Sequence, residues 1–147
     1  MDSFETQLVH ELERLCAETG SDVAAYAAPA RLSPLWGWVR VAGKVGRRFM
    51  QLAVQPGRGL VGAALRTGRA VVLDRHRDAY DLRREDAALL LPERLSSVAA
   101  APVLHNGQAV GLLLLASRTG RDYGQDDVRL LAESALRIAE AAVTGTL

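Results

Sequence analysis

The sequence contains a single cysteine, Cys16, among its 147 residues, and this excludes an internal disulfide. It also lacks any run of about 18 apolar residues, the length that a membrane-spanning helix needs. The N-terminal stretch Met1-Asp2-Ser3-Phe4-Glu5 carries two acids and no base, whereas a secretory signal begins with basic residues. We therefore expect a cytoplasmic protein whose size fits one domain over residues 1–147.

An excess of charge of either sign is absent too. Lysine and arginine number 18 against 17 acids, so the formal net charge is +1. The basic residues alternate with carboxylates instead of clustering on one periodic face. This pattern does not indicate nucleic-acid binding.

Clustered metal ligands and a catalytic arrangement are also missing. His10, His76 and His105 fall on a predicted helix, a charged loop and a hairpin turn, which are different elements. Cys16 lies on the apolar face of a predicted amphipathic helix, as a core residue would. The spacing indicates no Ser/His/Asp or Cys/His arrangement. We expect neither an enzyme nor a metal site, and no cofactor.

What the chain does contain is a glycine-rich turn that leads into a short helix. Pro56 cannot donate to a sheet ladder and marks a strand end, and Gly57 and Gly59 permit the positive φ of a tight turn. Apolar spacing predicts a helix over 60–67, which Gly68 ends. The first amides of such a helix lack intrahelical partners and lie at its positive end, so they favour a small anion. The same glycines also serve ordinary turns, and both interpretations stay open.

Periodicity predicts the other elements in a definite order. They are a helix over 4–19, strands over 23–27, 35–42, 48–54 and 70–73, a charged excursion over 74–94 with one or two helical turns, strands over 96–104 and 109–117, and a helix over 125–142. The Asn106-Gly107 pair favours a type I′ hairpin, and Gly111 suggests a close backbone approach. This order fits an α+β fold: one antiparallel sheet with terminal helices on one face and loops on the other.

Trp36 and Trp38 lie two residues apart on a predicted strand, so their side chains point the same way. In one interpretation both are core residues. In the other, one of them, preferentially Trp38, lies beside an anion, where an indole N–H attracts negative charge.

Several motifs, in order along nearly the whole chain, together resemble a GAF domain. They are Gly57-x-Gly59-Leu60-Val61-Gly62, Thr67-Gly68-Arg69, Val98-Ala99-Ala100-Ala101-Pro102-Val103, Asn106-Gly107, Val110-Gly111-Leu112-Leu113-Leu114 and Asp126-Asp127-x-x-Leu130-Leu131-Ala132. The resemblance implies a GAF-like antiparallel sheet with a ligand pocket between sheet and loops. It also implies flanking helices that dimerise, and we expect a homodimer.

Among GAF domains, the chain looks most similar to Nre-type nitrate receptors, which regulate a cognate sensor histidine kinase. This resemblance rests on Trp36-Gly37-Trp38-Val39, Gly43, Arg47-Arg48-Phe49, the turn over 57–62 and Pro92. It implies that nitrate is held by backbone amides at the start of the short helix, beside an aromatic side chain and an apolar wall.

Carried over by motif, the expected ligand-binding residues fall in three groups. They are Gly59 with the amides of Leu60 and Val61, the aromatic Trp38 with Trp36 as its competitor, and a wall of Leu89, Leu90 and Leu91. Two other functions stay open: a GAF domain for another small organic ligand, and a ligand-free dimerisation or docking module.

Overall fold

The computed structural model of the protein describes residues 3–74 and 84–145. The helices in these ranges are α1 (Ser3–Thr19), α2 (Arg47–Gln51), α3 (Gly59–Thr67), α4 (Arg84–Leu90) and α5 (Gln125–Gly145). The strands are β1 (Val23–Pro29), β2 (Trp36–Gly43), β3 (Ala53–Val54), β4 (Val71–Asp74), β5 (Ser97–His105) and β6 (Gln108–Ser117). None of these helices is long and apolar enough to cross a bilayer.

The six strands form one sheet in the order β3-β2-β1-β6-β5-β4, with every neighbouring pair antiparallel. Asn106 and Gly107 join β5 to β6 with φ values of 52° and 79°, both positive as a type I′ turn requires. Terminal helices cover one face, and α2, α3 and α4 cover the other. The predicted α+β class and sheet arrangement are confirmed.

Side chains alternate between the two faces of the sheet along each strand. Helices cover both faces, so each face is buried in an apolar cluster. In β1, Ala25 and Ala27 face the side of α3, whereas Ala24 and Tyr26 face α1 and α5. A Cβ at Gly111 would collide with the ring of Tyr26, so glycine lets this ring approach β6 closely. The predicted close approach at Gly111 is therefore confirmed.

The predicted strand over 48–54 is wrong for most of its length. Residues Arg47–Gln51 form α2, and only Ala53–Val54 pairs with β2. Phe49 is fully buried, with its ring centroid 5.1 Å from that of Trp38, while the rest of α2 is exposed. A single large buried side chain is compatible with one helical turn packed on the core. Residues 47–51 also lack the β-branched residues that favour a strand.

The charged excursion expected over 74–94 contains α4, in agreement with the predicted helical turns. Residues 75–83, with His76 among them, lie outside the described part of the chain. The remaining predicted elements begin and end within a few residues of those in the structure, which is ordinary variation in helix and strand ends.

Candidate functional site

The turn before α3 is closed by backbone hydrogen bonds. The amide of Gly57 donates to the carbonyl of Gly62 at 2.9 Å, and the amide of Arg58 donates to the carbonyl of Gln55 at 3.0 Å. A Cβ at Gly62 would collide with the Gln55 carbonyl, so the helix can pack this closely only with glycine there. Gly59 has φ of 68°, a region that glycine adopts without strain.

The first amides of α3 donate to a carboxylate from another helix. The amide of Leu60 lies 2.9 and 3.1 Å from the two oxygens of Asp86, and the amide of Val61 lies 3.3 Å from Oδ1. Asp86 belongs to α4 and is 2% exposed. A Cβ on Gly59 would lie 2.8 Å from Asp86 Oδ1, so this position also needs glycine for space.

The charge of Asp86 is balanced without a cationic partner among residues 3–74 and 84–145. Arg58, at the mouth of the site, instead pairs with Glu85 at 3.5 Å, and both side chains are exposed. The amides of Leu60 and Val61, together with the positive end of α3, therefore supply the main stabilisation of this buried carboxylate.

A cavity of about 370 Å³ lies beside these amides, between β2, β3, α3 and α4. Its lining is mostly apolar and includes four polar or charged side chains. The lining residues are Trp38, Leu52, Ala53, Val54, Gln55, Arg58, Val61, Gly62, Glu85, Asp86, Ala88 and Leu89. A small apolar cavity with a few polar groups is the usual form of a small-molecule site.

Trp38, one of the residues that line this cavity, carries a buried donor. The residue is 6% exposed, and its ring packs against Phe49. Its Nε1 is buried and has no hydrogen-bond acceptor within the described parts of the chain. An unsatisfied buried donor costs about 1–3 kcal/mol, so an acceptor on a ligand would be stabilising here.

The structure brings several of the expected site residues together. Trp38, Val61 and Leu89 all line the cavity, and Leu60 contributes its amide next to it. Gly59 borders the Asp86 carboxylate.

The other expected residues lie elsewhere. Trp36 is buried in the same apolar cluster but does not line the cavity. Leu90 is fully buried in the core, and Leu91, beyond the end of α4, is 46% exposed. Successive helical residues point about 100° apart, since a turn takes 3.6 residues, so only Leu89 of the leucine run borders the cavity.

The residue that sequence reasoning missed is Asp86. It lies in the first turn of α4, where an acid is already favoured by the dipole of its own helix. Nothing in the sequence pattern distinguishes that role from a hydrogen bond to α3, 26 residues earlier.

Comparison with protein families gives a match over almost the whole chain. The family model of the GAF domain matches residues 3–142. The chain belongs to the GAF domain family. This GAF domain therefore has a small-molecule sensing fold, and the six-stranded antiparallel sheet with terminal helices described above is consistent with it.

Solved structures resemble this GAF domain to different degrees. An NreA protein from Staphylococcus aureus, mutated in its nitrate binding site, is 29% identical, with a TM-score of 0.69 over 82% of this chain and 90% of that chain. A hypothetical protein from S. aureus is 31% identical, with a TM-score of 0.64 over 77% of this chain and 94% of that chain.

A free methionine-R-sulfoxide reductase from Neisseria meningitidis is 18% identical, with a TM-score of 0.75 over 93% of this chain and 76% of that chain. At that identity the likeness concerns the fold alone. No curated protein matches the sequence.

Proposed function

We propose that this GAF domain is a cytoplasmic sensor that binds a small planar oxyanion, nitrate, at the start of α3. The main support is that the amides of Leu60 and Val61 converge on a planar oxyanion group, the Asp86 carboxylate, at 2.9 to 3.3 Å. Carboxylate and nitrate are both planar and share one negative charge among their oxygens. The carboxylate thus stands in for the anion that these amides would bind.

The surroundings favour nitrate over more strongly hydrated anions. Arg58 is the cationic side chain on the described lining, and it is exposed and pairs with Glu85. A doubly charged anion would have to lose more hydration without a buried cation to compensate. Nitrate carries one diffuse charge and is weakly hydrated, so two amides, the indole N–H of Trp38 and apolar walls suit it.

The proposed output is regulation of a sensor histidine kinase, with binding rather than catalysis as the activity. This step rests on the resemblance to Nre-type receptors and on the 29% identity to an NreA protein mutated in its nitrate binding site. Nitrate can regulate such a partner only if it binds one conformation of the GAF domain more tightly than another.

Calorimetry and thermal unfolding test whether nitrate is the ligand. We expect nitrate to release or absorb heat on binding and to raise the melting temperature, since a ligand at 100 times its Kd stabilises by about 2.7 kcal/mol. Nitrite should act more weakly, and chloride and sulfate at equal ionic strength should not reproduce the effect. Absence of both heat and thermal shift at millimolar nitrate, for folded protein, would refute the proposal.

The cavity volume supports a second candidate, a small organic ligand. Its 370 Å³ lies near the lower end of the roughly 300–1,000 Å³ typical of small-molecule sites, and exceeds what a four-atom anion fills. Native mass spectrometry of the purified protein separates the two, because a co-purifying organic molecule would favour this candidate.

A further inference from the structure

We infer that Asp86 is a built-in competitor for the anion: its carboxylate holds the α3 amides in a closed arrangement, and an incoming oxyanion must displace it. The inference rests on the proposed function at the same site. Its basis is the carboxylate itself, 2% exposed and bonded to the amides of Leu60 and Val61. Two anions cannot share these two donors, because like charges at hydrogen-bond distance repel strongly.

Displacement is feasible because no cation among the described residues holds Asp86 in place. Within the described parts of the chain, backbone amides and the end of a helix alone compensate its charge, so water can replace them once the carboxylate swings outward. The neighbouring contact, Arg58 to Glu85 at 3.5 Å, joins two exposed side chains. Such a pair adds little to stability.

The opposite end of α4, and the turn that follows it, form hydrogen bonds to other elements. Arg48 Nη2 donates to the carbonyl of Ala88 at 2.8 Å, which ties this end to α2. In the turn that follows, the Glu93 carboxylate accepts from the amide of Gly46 at 2.8 Å, and Arg118 Nε donates to the carbonyl of Glu93 at 2.9 Å. Release of Asp86 would therefore let the first turn of α4 move while its last turn stays fixed.

Trp38 gives a free anion an advantage that Asp86 lacks. Trp38 lines the cavity, and its buried Nε1 has no acceptor among residues 3–74 and 84–145 while Asp86 holds the amides. An anion not tethered to α4 can accept from this donor as well. This additional hydrogen bond is the differential interaction that allows the anion to shift the equilibrium away from the closed arrangement.

The consequence is that a higher concentration of anion is needed for binding. A tethered group competes at an effective concentration in the millimolar range or above. The apparent affinity of the anion equals its intrinsic affinity multiplied by the fraction of molecules in which Asp86 has left the amides, so a small fraction lowers it strongly. The wild-type protein would then respond to abundant anion and ignore traces.

Calorimetric titration of nitrate into wild type, Asp86→Ala and Glu85→Gln tests this directly. Asp86→Ala should bind nitrate about tenfold more tightly or better. Glu85→Gln removes the same charge from the adjacent residue, which lines the cavity but does not contact the amides, and its gain in nitrate affinity should be clearly smaller than that of Asp86→Ala. Asp86→Ala should also lose thermal stability in chloride buffer and regain it with formate, whereas wild type should need a much higher formate concentration to respond.

Each result has a separate meaning. Equal nitrate affinity of wild type and Asp86→Ala, or an equal gain in Glu85→Gln, would overturn the competitor and leave the nitrate proposal standing. Formate stabilisation of Asp86→Ala without nitrate binding by either protein would support competition for the amides and refute nitrate as the ligand. If Asp86→Ala does not fold, Asp86→Asn keeps the shape without the charge, and it too should bind nitrate more tightly than wild type.

Discussion

Trp38 is the residue at which binding and folding can be separated. Its ring packs on Phe49 in the core, while its Nε1 has no acceptor in the described ranges. The ring therefore contributes to the fold, and the N–H is the group that we propose binds the ligand. Replacing the indole by another aromatic ring removes the N–H donor and keeps most of the packing against Phe49.

We expect Trp38→Phe to weaken nitrate binding about tenfold, because a hydrogen bond to a charged group contributes about 1.5 kcal/mol or more. Its melting temperature should change little, since the lost donor was unsatisfied. Trp36→Phe is the matched control: Trp36 lies in the same apolar cluster but does not line the cavity. Unchanged nitrate affinity in Trp38→Phe would mean that its N–H does not contact the anion.

The start of α3 could be predicted from sequence because its glycines indicate specific roles, namely a positive φ or space for a close neighbour. Gly59 adopts positive φ and leaves space for a carboxylate, and Gly68 ends the helix in the left-handed region with φ of 71°. Asp86 could not be predicted as the partner of these amides. Its contact is long-range, and an acid at the start of a helix already has a local explanation.

At the scale of elements, the two terminal helices are joined by buried polar groups as well as by leucines. Glu11 of α1 accepts from the Ser134 hydroxyl and from Arg137 Nε of α5, each at 2.9 Å. The segment before α5 is tied down in turn, since Tyr123 and Ser21 share a hydrogen bond at 2.7 Å. Burial raises the pKa of Tyr123 to about 12.

Tyr123→Phe should lower the free energy of unfolding at pH 7 by about 1 kcal/mol, because it removes one hydrogen bond. Ser21 keeps a second partner, the Thr19 hydroxyl at 2.6 Å, so the loss stays modest. The folded pKa of Tyr123 exceeds the ordinary value of 10. Protonated Tyr123 therefore stabilises the fold fully below pH 10, and this contribution fades as pH rises toward 12.

Urea denaturation at pH 7, 10 and 11 checks both the loss of stability at pH 7 and its dependence on pH. The difference in unfolding free energy between wild type and Tyr123→Phe should shrink at the higher pH values. A double-mutant cycle with Ser21→Ala isolates the hydrogen bond. A coupling energy near zero, or a difference that grows with pH, would contradict this account.

Elements differ in how clearly the sequence encodes them. The Asn106-Gly107 hairpin and the leucine-patterned terminal helices follow from local chemistry and periodicity, and they form where expected. The helix α2 does not, because its conformation depends on burying Phe49 beside Trp38, a tertiary contact. Local propensity over five residues is too weak to indicate such packing.

At the scale of the whole molecule, we propose that two copies associate through α1 and α5. The support is the apolar surface that α5 leaves exposed: Leu136 is 67% exposed and Val143 is 41% exposed. An isologous helix pair is a common way to bury such a surface.

Light scattering at tens of micromolar should therefore give the mass of a dimer. Leu136→Glu should shift the protein toward monomer, because it places a charge in the proposed interface. Leu32→Glu is the control, since Leu32 is fully exposed on the loop between β1 and β2. A monomeric wild type, or equal effects of the two substitutions, would contradict the proposed interface.

The lengths of the outer strands bear on how copies of this protein behave when crowded. The sheet ends in β3, with two residues, and in β4, with four. Within the described residues, β3 pairs only with Trp36 and Gly37 of β2, and β4 pairs only with residues 97–100 of β5, so the rest of each neighbouring strand has no partner on its outer side. Unpaired N–H and C=O groups at a sheet margin are where a further strand adds, so these two stretches are where copies of the domain would join edge to edge when crowded.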